Sequence, residues 1–223
     1  RGELLYVAAE IAIDSGNLDR ADEYIRQVRI INPQAEVALL LGGKVAFLRG
    51  RFPDAQKLLQ EAVARVRKRA EDVLRTGRSA VDLQRSEAEA RYWLARTFEQ
   101  LGYPGWARDE LKRAMELTAA GEDAFRNQIR FEQARVALML RDYDEAISLA
   151  QRVVAMDRDS YGAKTILAWA YLGKSAAAET QRAAQELIAL GRDRFDGYAV
   201  LAEFYEKQGQ PDAVEQVLVE GLA

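Results

Sequence analysis

Tyr92–Leu117, YWLARTFEQLGYPGWARDELKRAMEL, decides the fold. Leu94, Ala95, Phe98 and Leu101 recur at helical spacing, and Gly102, Pro104 and Gly105 then break the pattern. Ala107, Leu111, Ala114 and Met115 resume it. Two apolar stripes with spacings of three and four, parted by a Gly/Pro turn, specify an αα-hairpin. A lone hairpin cannot bury both its faces, so it requires neighbours of the same kind.

The rest of the chain supplies them. Each unit carries a small residue midway along its first helix, a turn position seven residues later and a small residue five beyond that. These marks are Ala9, Gly16 and Ala21, then Gly43, Gly50 and Ala55, then Ala95, Gly102 and Ala107. They continue as Ala134, Arg141 and Ala146, as Ala168, Ser175 and Thr180, and as Ala202, Gly209 and Val214. Units one and two, and units four to six, step by 34 residues. Small side chains at such positions permit close helix approach, and glycine supplies the backbone freedom needed where a helix stops. Asp19, Asp54, Asp144 and Asp212 suit the positive start of each second helix, and Pro53 and Pro211 suit its first turn.

This helix–turn–helix period with its small-residue marks resembles the tetratricopeptide (TPR) repeat, and six units cover nearly all 223 residues. The resemblance implies an all-α, right-handed α-solenoid in one domain spanning 1–223. The units fall at about 2–35, 36–69, 88–121, 127–160, 161–194 and 195–223, with a helical insertion at about 70–87. Two departures stand out. The bulky aromatic of the family's first helix is here Leu5, Leu39, Arg91, Arg130, Lys164 and Tyr198. The fifth unit lacks both its turn glycine and its second alanine, and Gly173 is placed to end its first helix early.

Two spacings exceed the period. Ala55 to Ala107 is eighteen residues too long and Ala107 to Ala146 five too long. The short excess falls on the loop Ala120-Gly121-Glu122-Asp123. Leu59, Ala62, Val63, Val66, Ala70, Val73 and Leu74 keep helical spacing through the long one. This predicts a second helix extended to about Arg75, a break at Thr76-Gly77-Arg78, and Ser79 capping a lengthened first helix, the pair projecting from the solenoid.

Composition narrows the chemistry. The chain has no histidine and no cysteine, which removes imidazole acid–base catalysis, thiolate nucleophiles, disulfides and Cys/His zinc sites. Lack of cysteine fits either the cytosol or an oxidising compartment. A formal charge of −3 creates no field that recruits nucleic acid. The longest strongly apolar run, Val37–Leu41, is too short to insert into a bilayer. Ala168-Trp-Ala-Tyr-Leu-Gly-Lys-Ser175 loosely matches a phosphate loop, but its bulky residues lie inside a helical pattern where such a loop must be bare. Asp142, Asp144 and Glu145 read as helix capping. No catalytic constellation emerges, so an enzyme and a cofactor are not expected.

The resemblance implies that first helices line a concave binding groove. The residues after the small marks, Glu10, Lys44, Arg96, Arg135, Trp169 and Glu203, are expected to face it. Lys44, Arg96 and Arg135 would accept acids of a partner segment, with Phe47, Tyr92, Phe131 and Trp169 as apolar anchors. The alternative is intramolecular: Arg96 pairs with Glu99 or Glu132, and the aromatics fill gaps between hairpins. The Lys–Asn pair by which some TPR co-chaperones clamp a chaperone tail has no counterpart at Tyr6/Glu10, Leu40/Lys44, Tyr92/Arg96 or Phe131/Arg135.

A second candidate surface is the projection. Arg65, Arg67, Lys68, Arg69, Arg75, Arg78 and Arg85 face only Glu71, Asp72 and Asp82 across that stretch. The run reads either as a solvated helix face or as a contact for an acidic partner, and no aromatic interleaves to favour nucleic acid. Val214, Val217, Leu218 and Leu222 leave the last hairpin uncapped, which points to a longer parent protein or to self-association there. The function expected is a protein–protein interaction scaffold. Bacterial proteins of this resemblance serve envelope assembly, secretion or complex assembly. The alternatives are a regulatory or substrate-recruiting arm of a larger enzyme and the sensing domain of a transcription regulator.

Overall fold

The computed structural model describes residues 2–191 and 194–222. Twelve α-helices make up its regular structure among these residues: α1 (Gly2–Asp14), α2 (Leu18–Ile31), α3 (Glu36–Leu48), α4 (Phe52–Arg75), α5 (Val81–Gln100), α6 (Pro104–Leu117), α7 (Asp123–Met139), α8 (Tyr143–Met156), α9 (Tyr161–Gly173), α10 (Ala177–Leu190), α11 (Asp196–Lys207) and α12 (Pro211–Gly221). They form six hairpins, and the chain divides into two compact units, Arg1–Asp123 and Ala124–Ala223.

Small residues set how closely the helices approach. Ala9, Ala95, Ala134 and Ala168 are buried at the middle of their first helices, as are Ala21, Ala55, Ala107 and Ala146 at the start of the second. A Cβ added to Gly43 would lie 2.5 Å from Leu59 Cγ, so no larger residue fits unless Leu59 of α4 shifts. Around this spine the first unit buries Ile25, Val28, Leu41 and Val45. The second buries Leu172, Leu187, Val200 and Phe204 in one cluster and Val153 and Ile166 near the other hairpins. Thr180, standing where the fifth unit lost its alanine, is also buried; its hydroxyl donates to the Ala176 carbonyl at 2.7 Å, which satisfies it within its own helix.

All six regular hairpin turns use one conformation. Gly16, Gly50, Gly102 and Gly209 have φ of 74°, 73°, 80° and 67°, and Arg141 and Ser175 take the same left-handed region at 60° and 58°. Each turn closes with the paired bonds of a Schellman motif, as in Asn17 N–H to Ala12 O at 2.8 Å and Ala176 N–H to Tyr171 O at 3.0 Å. The fifth turn is therefore regular despite its missing glycine. Gly173 does not end α9 early: the helix stops at the same register as α1 and α3. Gly173 lies against the Tyr143 ring, where an added Cβ would sit 2.3 Å from it.

The long insertion is helical. α4 runs 24 residues and α5 twenty, against 13 or 14 for α1, α2 and α3. Gly77, at φ 73°, makes the break, and Ala70 and Ala80 are buried beside it. Ser79 does not cap α5; Ala80 occupies that position without a side-chain bond. The phosphate-loop-like stretch is helix through Gly173, and Lys174 pairs with Asp144, so the bare loop that a phosphate would need is not formed there.

Candidate functional site

Within the first unit α1 packs against α3 and α3 against α5, which brings the residues after their small marks together. Lys44 of α3 is 7% exposed, and its ammonium donates to Glu10 of α1 at 3.5 Å and to Glu89 of α5. The charge of Lys44 is thus met inside the chain. Glu10 also accepts from the Tyr6 hydroxyl. Burial above all, then this bond and the charges of Glu10 and Glu89, push the Tyr6 hydroxyl well above the ordinary tyrosine range.

Two turns along α5 from Glu89 stands Arg96. Its guanidinium carbon lies 4.7 Å from the Trp93 ring, 4.9 Å from Phe47 and 5.7 Å from Tyr92. The rings brace each other edge-on, Phe47 against Trp93 at 5.4 Å and against Phe52 of α4 at 5.6 Å. A guanidinium held over aromatic faces is attracted by their quadrupoles, and such contacts fix its orientation. The sequence register gave Phe47, Tyr92 and Arg96 but not Trp93. Its position, two before the small mark, is buried in α3, α7, α9 and α11, where Leu41, Glu132, Ile166 and Val200 stand. An indole is too large for that slot and is half-buried instead. Its bulk at a position otherwise held by smaller residues was the readable signal.

The second unit arranges its candidates differently. Arg135 pairs with Glu132 of its own helix at 2.5 Å. Phe131 lies against Gly162 of α9, where an added Cβ would be 2.9 Å from the ring. Trp169 packs on the core of α9, α10 and α11. These three side chains are engaged in hairpin packing and a local ion pair.

A further ionic group in the first unit occupies a place where the repeat carries an aromatic. Arg91, buried, donates from Nε and Nη2 to Glu87 at 2.9 and 2.6 Å and from Nη1 to Glu110 of α6 at 2.5 Å. Burial pulls its basicity down, but the bonds to Glu87 and Glu110 outweigh that and hold it above the ordinary arginine value.

The basic stretch running from α4 into α5 is largely answered by acids. Arg65 pairs with Glu61, Arg67 with Glu71, Arg69 with Glu36, Arg75 with Asp72 and Arg85 with Glu122. Lys68 and Arg78 are exposed and form no ion pair among the described residues. Beside the foot of the long pair, Tyr6, Val37, Leu40, Val66, Leu83 and Ser86 help enclose a cavity of about 350 Å³. Among the described residues no helix is long and apolar enough to cross a membrane, and no group of three or more acidic side chains could hold a metal ion.

Neither a protein-family model nor a curated protein sequence matches the chain. Solved structures do. YrrB, described as a TPR protein with an unusual peptide-binding site, is 20% identical with a TM-score of 0.60, over 85% of this chain and 86% of its own. PilW, a type IV pilus biogenesis factor, is 10% identical with a TM-score of 0.71, over 97% and 90%. PilF of Pseudomonas aeruginosa is 11% identical with a TM-score of 0.68, over 97% and 88%. At these identities the likeness is one of fold: the chain has the all-α TPR architecture of stacked helix–turn–helix units.

Proposed function

We propose that this TPR-fold chain is a non-catalytic scaffold whose first unit holds a partner segment rich in acidic and apolar residues. The arrangement of Arg96 among Phe47, Tyr92 and Trp93 carries the reading. A cation placed over ring faces is pre-oriented, so little side-chain entropy is lost when a carboxylate docks. The rings then offer apolar contact beside the charge. Lys44 has a supporting part: tied to Glu10 and Glu89, it fixes α1, α3 and α5 in the positions that present Arg96.

Phe131, Arg135 and Trp169 are assigned a lesser share, since packing and the Glu132 pair already occupy them. The exposed cations of α4 and the break after it, Arg67, Lys68, Arg69, Arg75 and Arg78, would serve as an electrostatic rim for an acidic partner. A role in envelope assembly, secretion or complex assembly fits such a scaffold, and the peptide-binding site named for YrrB is a precedent for a segment bound on this fold.

Selection of a displayed library of twelve-residue peptides against the chain tests the reading. Enriched peptides should combine Asp or Glu with Leu, Phe or Trp. Arg96→Glu should then weaken the best of them at least about tenfold, the effect of roughly 1.4 kcal/mol. Enrichment of basic peptides, or binding indifferent to Arg96→Glu, would overturn it.

A further inference from the structure

The helical insertion adds a cavity to the seam that presents Arg96. α3 packs against α5, and their facing residues form three successive tiers. At one end Phe47 meets Trp93 and Arg96. In the middle Lys44 pairs with Glu89. At the other end Leu40 of α3 and Leu83 and Ser86 of α5 border a cavity of about 350 Å³, with Tyr6 of α1 and Val66 of α4 completing its lining. Leu83 and Ser86 belong to the residues in excess of the 34-residue period, so a hairpin of ordinary length has no such wall.

The chemistry of the lining identifies the occupant. Each of its polar or charged side chains is already answered within the chain. Tyr6 donates to Glu10, and the Ser86 hydroxyl donates to the Asp82 carbonyl at 3.0 Å. The Asn32 side-chain oxygen accepts from the Gln34 N–H at 3.0 Å. Glu36 pairs with Arg69 at 3.1 Å, and Glu89 with Lys44. What remains to be covered is apolar: Leu40 and Val66, which are buried, and Val37 and Leu83, which are half-buried. A charged group entering there would lose hydration without gaining a partner, whereas an apolar one gains by leaving water. The volume is more than twice the roughly 150 Å³ that holds a benzene ring, which is room for one large side chain. A helix, about 10 Å across, does not fit.

Building on the Arg96 reading, we propose that this cavity receives a large apolar side chain, Leu, Met, Phe or Trp, from the same extended segment whose carboxylate meets Arg96. The helix rise sets the spacing. Leu40 to Phe47 along α3, and Ser86 to Arg96 along α5, correspond to about 10–15 Å. An extended chain covers that in about three to five residues. Its side chains alternate in direction, so two that point the same way are an even number apart, which selects four. A helical segment would need about seven to ten.

Selection of the displayed twelve-residue library on the whole chain, followed by titration of the best labelled peptide, tests this. Enriched peptides should carry the large apolar residue four positions from an Asp or Glu. Ser86→Phe, which fills the cavity from a half-buried position, should weaken that peptide at least tenfold. Leu83→Asp should do the same without adding bulk, and both variants should keep the circular dichroism and unfolding of the parent. Replacing the peptide's apolar residue by Ala should cost as much, and Ser86→Phe should then have no further effect. A spacing other than four, binding unchanged by both cavity variants, or a Ser86→Phe loss that persists on the Ala peptide would overturn the cavity assignment and leave Arg96 in place. Binding indifferent to Arg96→Glu would overturn both.

Discussion

The first helices of the two units carry cations at the same register, yet these meet different fates. In the first unit Lys44 is enclosed by Glu10 and Glu89 while Arg96 rests on three rings. In the second, Arg135 is taken by Glu132 one turn back on α7. Register therefore determines which side of a hairpin a charge occupies. What the neighbouring helix brings opposite determines what surrounds that charge. Arg96 differs because α3 delivers Phe47, and α5 itself delivers Tyr92 and Trp93, around its guanidinium.

The sharpest way to break the contrast is through the buried ions that join two helices of the first unit. Arg91→Met leaves Glu87 buried without its partner and should cost about 3–5 kcal/mol in denaturant unfolding. Adding Glu87→Leu should recover a large part of that loss, since matched apolar groups can replace a buried pair at little cost. A cost below about 1 kcal/mol for Arg91→Met alone would mean that water or protonation relieves Glu87, and the buried ion group would then add little to the first unit's stability.

A smaller effect follows from Tyr6. The fold favours its protonated form, so the folded hydroxyl titrates above the ordinary value of about 10. The stability it contributes is fully present below that value and is lost as pH rises towards the folded one. Tyr6→Phe should flatten the alkaline decline in melting temperature while removing the bond to Glu10 at neutral pH. An unchanged alkaline slope would show that the Tyr6–Glu10–Lys44–Glu89 chain is not the source.

Much of this was legible in the sequence. The 34-residue marks located all six hairpins and the helical character of the insertion, because small residues at helix crossings and left-handed turn positions are local requirements that composition records directly. The division after Asp123 was not legible, since the five-residue excess reads only as a longer loop. Nor was the neutralisation of Lys44: Glu10 and Glu89 lie 34 and 45 residues away in sequence, and only the packing of α1, α3 and α5 joins them. Trp93 escaped for a related reason. Its register assigned it to the buried side, and its size moved it to the face that holds Arg96.

The turns give the smallest and cleanest test of how the units differ. The first unit uses glycine at Gly16, Gly50 and Gly102, while the second places Arg141 and Ser175 in the same left-handed conformation and keeps glycine only at Gly209. A side chain there costs roughly 1–2 kcal/mol through contact of Cβ with the backbone. Replacement by glycine recovers that and loses about 0.5–1 kcal/mol to the greater freedom of the unfolded chain. Arg141→Gly and Ser175→Gly should therefore each stabilise by up to about 1 kcal/mol, a rise of roughly 2–4 °C in melting temperature for a chain of this size. Gly102→Ala should shift it the other way by a similar amount. If Arg141→Gly destabilised instead, the arginine side chain would be holding the α7–α8 turn through contacts worth more than the strain. The second unit's turns would then be tuned by side chains where the first unit relies on backbone alone.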